Sequence, residues 1–153
     1  MAHHQIETQW MGKMQFNALV NGHTYVMDAP ERVGGEDHGS IPKPFVLTAL
    51  SGCTGMDIIS ILRKSQYEIS DLNIKVNGEL SKHVPLEYVA IHVVYEFMGD
   101  EANKQAALDA VNYSQEKICG VSAMLRKALP ITWEVTYNGV QVFNNKPAEH
   151  VTV

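Results

Sequence analysis

PFVLTALSGCTGMDIISILRK, residues 44–64, carries apolar side chains at 47, 50, 58, 61 and 62. That spacing is close to helical period and predicts an amphipathic helix. Ser40 or the Pro42–Pro44 region marks its start, because proline is tolerated in a first turn and not inside. Cys53 sits in the middle of this helix, flanked by Gly52 and Gly55. Each glycine costs up to ~1 kcal/mol in a helix interior. Two together predict close approach of another backbone, against the plainer reading of a tolerated weakness.

Working outward, the N-terminal side reads as strands. QIETQWMGKMQFNALVNGHTYVMD (5–28) holds Asn21-Gly22 between ALV and HTYVM, a strong signal for a two-residue hairpin turn. APERVGGEDHGSIPKP (29–44) is a long loop of the kind that often carries function. After the helix, ISDLNIKVNGEL (69–80) alternates as a strand, and LEYVAIHVVYEF (86–97) is a second, denser in β-branched and aromatic residues. EANKQAALDAVNYSQEKICG (101–120) predicts a helix with Leu108, Val111, Gln115 and Ile118 on one stripe, ended or bent at Gly120. VSAMLRKAL continues helically to Pro130. ITWEVTYNGVQVF (131–143) predicts a final hairpin turning at Asn138-Gly139. The tail 144–153 reads as loose, with HVTV a candidate edge strand, and residues 1–7 read as a leader.

Strands and helices come in blocks. That order predicts α+β with antiparallel sheets, and one domain over 1–153. There is no GxGxxG, no P-loop and no internal repeat. The net charge is −5, with no basic stripe, which argues against a nucleic-acid partner. No apolar run approaches the roughly 18 residues needed to span a membrane, and the start lacks a signal-peptide pattern. The expectation is a cytoplasmic chain with reduced thiols and no membrane partner.

The chain has two cysteines, Cys53 and Cys119, 66 positions apart (119 − 53), each placed on a predicted helix. They are inert core residues, a metal fragment or a redox pair. Asp57, at i+4 from Cys53, shares its helix face, and a nearby carboxylate disfavours a thiolate. An activated Cys53 therefore needs a cation. Arg32, Lys43 and Lys13 are candidates before the helix, and Lys117 lies near Cys119; the plain reading of each is a solvated charge. Asp57 reads as a structural hydrogen-bond acceptor. With no CxxC and with seven scattered histidines, no metal site is expected. The absence of GxSxG argues against a serine hydrolase.

Together, the GCTxxD helix after a Gly- and Pro-bearing loop, and Cys119 in KICGVSAML, resemble the OsmC/Ohr family of osmotically inducible and organic hydroperoxide resistance proteins. The resemblance covers about residues 8–143. It implies an intertwined homodimer in which antiparallel sheets wrap two long central helices. It also implies a thiol peroxidase acting on organic or lipid hydroperoxides, with Cys53 peroxidatic, Cys119 resolving, an arginine (Arg32 here) holding the thiolate, and an external dithiol as reductant. No metal or flavin is implied. Active members usually carry a glutamate nine or ten residues before the first cysteine; here those positions are Pro44 and Lys43. The proline usual after the second cysteine is Gly120. The alternative is a non-catalytic relative that binds a small hydrophobic ligand or acts as a slow redox sensor. An acyl-CoA thioesterase is a third reading without a matching site.

Overall fold

The computed structural model describes residues 2–148. Within them the chain divides into two compact units, the first ending at Val46 and the second beginning at Leu47.

The first unit is a three-stranded antiparallel sheet, β1 (Ile6–Gly12), β2 (Gln15–Val20) and β3 (His23–Met27), in that order. Asn21 and Gly22 have φ of 50° and 81°, the paired left-handed conformation that a two-residue hairpin demands. β1 begins inside the stretch expected as a leader. The loop after β3 is organised by Asp28, whose buried carboxylate accepts hydrogen bonds from the backbone N–H groups of Ala29 (2.7 Å), Glu36 (3.1 Å) and His38 (3.1 Å). A short 3-10 turn, Glu31–Val33, lies in that loop.

The second unit is a four-stranded sheet with its helices. α1 (Phe45–Lys64) starts just after Pro44 and leads into β4 (Asp71–Leu80) and β5 (Tyr88–Met98). α2 (Lys104–Tyr113), a wide π turn (Ser114–Ile118) and α3 (Gly120–Leu125) then return the chain to β6 (Ile131–Tyr137) and β7 (Val140–Asn144). The sheet order is β4-β5-β6-β7. The two hairpins are antiparallel, but β5 and β6 run parallel. This corrects the expectation of antiparallel sheets throughout. A helical crossover is long enough to bring the chain back to the end of the sheet from which it left, so the next strand enters in the same direction.

β5 and β6 alternate buried and half-buried residues. Their buried faces are in register across the parallel pair: Ile91 with Ile131, Val93 with Trp133, Tyr95 with Val135, Phe97 with Tyr137. Leu50, Ile58 and Leu62 of α1 and Ala107, Ala110 and Val111 of α2 complete this core. The stripe 50, 54, 58, 62 is the face α1 buries, at the four-residue spacing that keeps side chains on one side of a helix.

Two further expectations change. α1 has 20 residues with a mean hydropathy of 1.7 over its most apolar window, so by length and composition it is able to cross a membrane. Its glycines, serines and threonines interrupt an apolar run without lowering the average much. Its buried stripe packs in the core, and we read it as a core helix. Second, the helix after β5 breaks at Cys119, one residue before Gly120; Cys119 itself is extended, with φ −69° and ψ 111°. Gly52 has open space where a Cβ would stand, whereas a Cβ on Gly55 would lie 3.0 Å from Ile74 Cδ1. Close packing therefore accounts for Gly55 within the chain and not for Gly52. Of the tail, residues 149–153, which include the candidate edge strand, lie outside the described residues.

Candidate functional site

Cys53 and Asp57 follow Leu50 and Thr54 of the buried stripe by three positions each, which places them on its flank, half-buried. Cys119 arrives from the crossover. The wide turn after α2 is closed by the Cys119 N–H donating to Ser114 O, five residues back, at 2.9 Å. Such turns often occur at functional positions, because the extra residue re-aims the side chains beyond it. Cys119 then caps α3, its buried sulfur accepting from Ser122 N–H at 3.4 Å. The result is convergence: the two sulfurs and an Asp57 carboxylate oxygen all lie within 4.8 Å of one another.

The thiols are hydrogen-bonded to each other, and the Val121 backbone N–H donates to the Cys53 sulfur. Burial pushes the Cys53 thiol above its ordinary pKa, and the bond with Cys119 adds to that. The Val121 N–H works the other way, while the electrostatic influence of the Cys119 side chain and of the Asp57 carboxylate raises it further. All but the N–H disfavour a thiolate by the usual routes, desolvation and like charge. Asp57 is anchored by Ser114, whose hydroxyl donates to Asp57 Oδ2 at 3.0 Å. The expectation of a structural acceptor at Asp57 agrees with this.

Beside the thiols runs a buried polar chain. Ser122 Oγ donates to Gln115 Oε1 at 2.9 Å, and Gln115 Nε2 donates to Tyr95 OH at 2.7 Å. Burial holds the Tyr95 phenol up to about 12, against the lowering effect of hydrogen bonds with Thr54 and Gln115. The Arg126 guanidinium donates to the Gln115 carbonyl on the wide turn. A satisfied buried network of this kind fixes the backbone that presents Cys119.

Of the residues singled out from the sequence, the structure brings Cys53, Asp57 and Cys119 together. Arg32 is exposed in the 3-10 turn of the N-terminal unit. Lys13 pairs with Glu36 at 2.7 Å within the same unit. Lys117 is exposed on the wide turn. Lys43 and Pro44, at the positions where the resemblance implies a glutamate, immediately precede α1. Ser114, Ser122, Tyr95 and Arg126 were not anticipated; only Gln115, a polar residue on an otherwise apolar stripe, gave a signal. A groove of about 1000 Å³ runs along the other flank of α1, past Gly52, Gly55, Met56 and Ile59 to Leu72 and Ile74 of β4, and neither cysteine lines it.

Residues 35–134 match the family model described as OsmC-like protein. The protein YhfA of Escherichia coli K12 is 30% identical over 129 residues, which is 84% of this chain and 93% of that protein. A crystal structure of a hypothetical protein from Aquifex aeolicus superposes with a TM-score of 0.73 at 27% identity, covering 90% of this chain and 98% of its own. An organic hydroperoxide resistance protein, OsmC, from Legionella pneumophila has the same fold, with a TM-score of 0.63 at 13% identity, covering 89% and 98%. The chain belongs to the OsmC-like family.

Proposed function

We propose that this OsmC-like protein is a thiol peroxidase that reduces organic or lipid hydroperoxides through Cys53 and Cys119. The observation that carries the reading is the meeting of the two sulfurs, from residues 66 positions apart (119 − 53), within 4.8 Å of each other. Cys53 is the more open of the two and Cys119 is buried, which suits a first sulfur that meets substrate and a second that does not.

The steps balance simply. The Cys53 thiolate attacks the outer peroxide oxygen, the O–O bond breaks, and the alkoxide leaves and takes a proton as the alcohol. The product on the protein is a sulfenic acid. The Cys119 sulfur then attacks the Cys53 sulfur, the S–O bond breaks, and the hydroxyl leaves as water with the Cys119 proton. An external dithiol reduces the disulfide. The sulfurs must close to about 2.0 Å for the bond to form. The first step needs a counter-charge that the Cys53–Asp57–Cys119 cluster does not contain. From the resemblance we assign that role to Arg32.

The exposed apolar residues support a homodimer, as the family resemblance implies. Met56 on α1 is 77% exposed and Trp10 on β1 is 63% exposed, and such surface is normally covered. A second reading, a slow thiol sensor of the same fold, is favoured by one observation: the Cys53 thiol is pushed up, not down.

One experiment separates them. Reduced protein receives one equivalent of cumene hydroperoxide for a few seconds, is quenched with an alkylating agent, and is digested for mass spectrometry. The peroxidase reading expects both thiols lost to alkylation and a crosslinked Cys53–Cys119 peptide, absent in Cys53→Ser. Two free thiols at that time would leave the sensor reading.

A further inference from the structure

Two thiols and a carboxylate are also a ligand set. Cys53 and Asp57 come from α1 and Cys119 from the crossover break, and their ligand atoms lie within 4.8 Å of one another. Zinc held at ~2.3 Å from each of two thiolates in a tetrahedral site places the sulfurs about 3.8 Å apart. The three atoms therefore need only a small inward adjustment to close around an ion. We propose that the reduced protein binds one borderline or soft divalent cation, zinc or cadmium in class, through Cys53 Sγ, Cys119 Sγ and the Asp57 carboxylate.

The supporting structure goes beyond the three ligands. Ser114 Oγ donates to Asp57 Oδ2 at 3.0 Å, which orients the carboxylate beside the two sulfurs. Hydrogen-bonded outer partners of this kind hold a ligand at the correct angle and sharpen affinity. Ser114 sits where the wide turn delivers Cys119, its carbonyl closing the turn while its hydroxyl holds Asp57. One residue thus ties both halves of the set together. Two sulfur ligands select against magnesium and calcium, which prefer all-oxygen sites. A fourth position is left for solvent, since the described residues supply three donors there.

The step is a proton exchange without redox change. The cation displaces one proton from each thiol, both go to solvent, and two metal–sulfur bonds form. With the ion bound, neither sulfur is free to meet a peroxide or an alkylating agent. The same trio is therefore gated by metal as well as by oxidant.

The test uses the full chain, reduced, freed of reductant and kept from oxygen and peroxide, so that it does not depend on the peroxidase reading. Cadmium is titrated in while the ultraviolet thiolate-to-cadmium charge-transfer band is followed, a signal to which the chain's histidines do not contribute. One equivalent should saturate the band, release about two protons, and protect both cysteines from alkylation. Asp57→Asn should bind at least about tenfold more weakly. Ser114→Ala, which keeps all three ligands, should weaken binding by about 10- to 100-fold and keeps the test decisive if Asp57→Asn does not fold. The absence of a band at stoichiometric cadmium would overturn the site. So would Asp57→Asn with unchanged affinity, because the thiols alone would then account for the binding.

Discussion

Asp57 lies within 4.8 Å of both sulfurs, and its negative charge opposes ionisation of Cys53. Burial is the larger effect and the Cys119 thiol the next, so removing the charge alone does not create a fully activated thiol. It should still move the thiol in a known direction. In Asp57→Asn the Cys53 pKa falls, the thiolate fraction at a fixed pH rises, and alkylation quickens. The measurement is the pH–rate profile of Cys53 alkylation in reduced, chelated protein, read by peptide mass. A profile that stays in place would mean that solvent screens the carboxylate and that burial alone holds the thiol up. At this scale the sequence was informative where spacing along one helix sufficed: i+4 put Cys53 and Asp57 on one face. It was silent on Ser114 and Ser122, because their partners lie 57 and 7 positions away around a turn whose form depends on tertiary packing.

Among the elements, the loop between β3 and α1 owes its form to one side chain. Asp28 gathers three backbone N–H groups. Burial acts to raise its pKa, but those three bonds and the nearby His38 together bring it below the ordinary value. A carboxyl whose folded pKa is below its unfolded one stabilises the fold fully above the unfolded value, near 3.8. That stabilisation is lost as pH falls through the folded value. The urea midpoint should therefore drop on acidification below about pH 4 more steeply in wild type than in Asp28→Asn. At neutral pH the variant should exchange the Glu36 and His38 amides faster, since an amide oxygen is a weaker acceptor than a carboxylate. Equal exchange rates in the two proteins would show that the loop is held by other means. The elements themselves were largely readable. Asn-Gly turns, prolines before α1 and period-two alternation mark their own positions, because each is a local backbone requirement. The parallel β5–β6 pairing was not readable, since strand direction depends on how far a crossover carries the chain.

The whole molecule raises a question of covering. α1 is 20 residues long, its most apolar window has a mean hydropathy of 1.7, and only 22% of that window is buried within the chain. Its core stripe accounts for that share. Met56 remains 77% exposed, and Gly52 has open space beside it. In the N-terminal sheet Trp10, Met11, Phe16, Leu19 and Tyr25 are exposed as well. Among the described residues up to Val46, only Ala18, Asp28 and Gly35 are buried. A three-stranded sheet needs a covered apolar face to be stable, and a glycine on an open helix face admits close approach of a second helix. In the proposed homodimer a second copy of the chain would meet both demands at once and would give Gly52 the reason that packing within one chain does not. Light scattering should then give twice the 17.0 kDa of the single chain. Met56→Glu, on the exposed flank of α1, should shift the protein toward the single-chain mass with little effect on its secondary structure, because an exposed substitution rarely costs a fold more than about 0.5 kcal/mol. Wild type at the single-chain mass at micromolar concentration would sink the dimer. A Met56→Glu protein that stays at twice that mass would move the interface off this flank of α1.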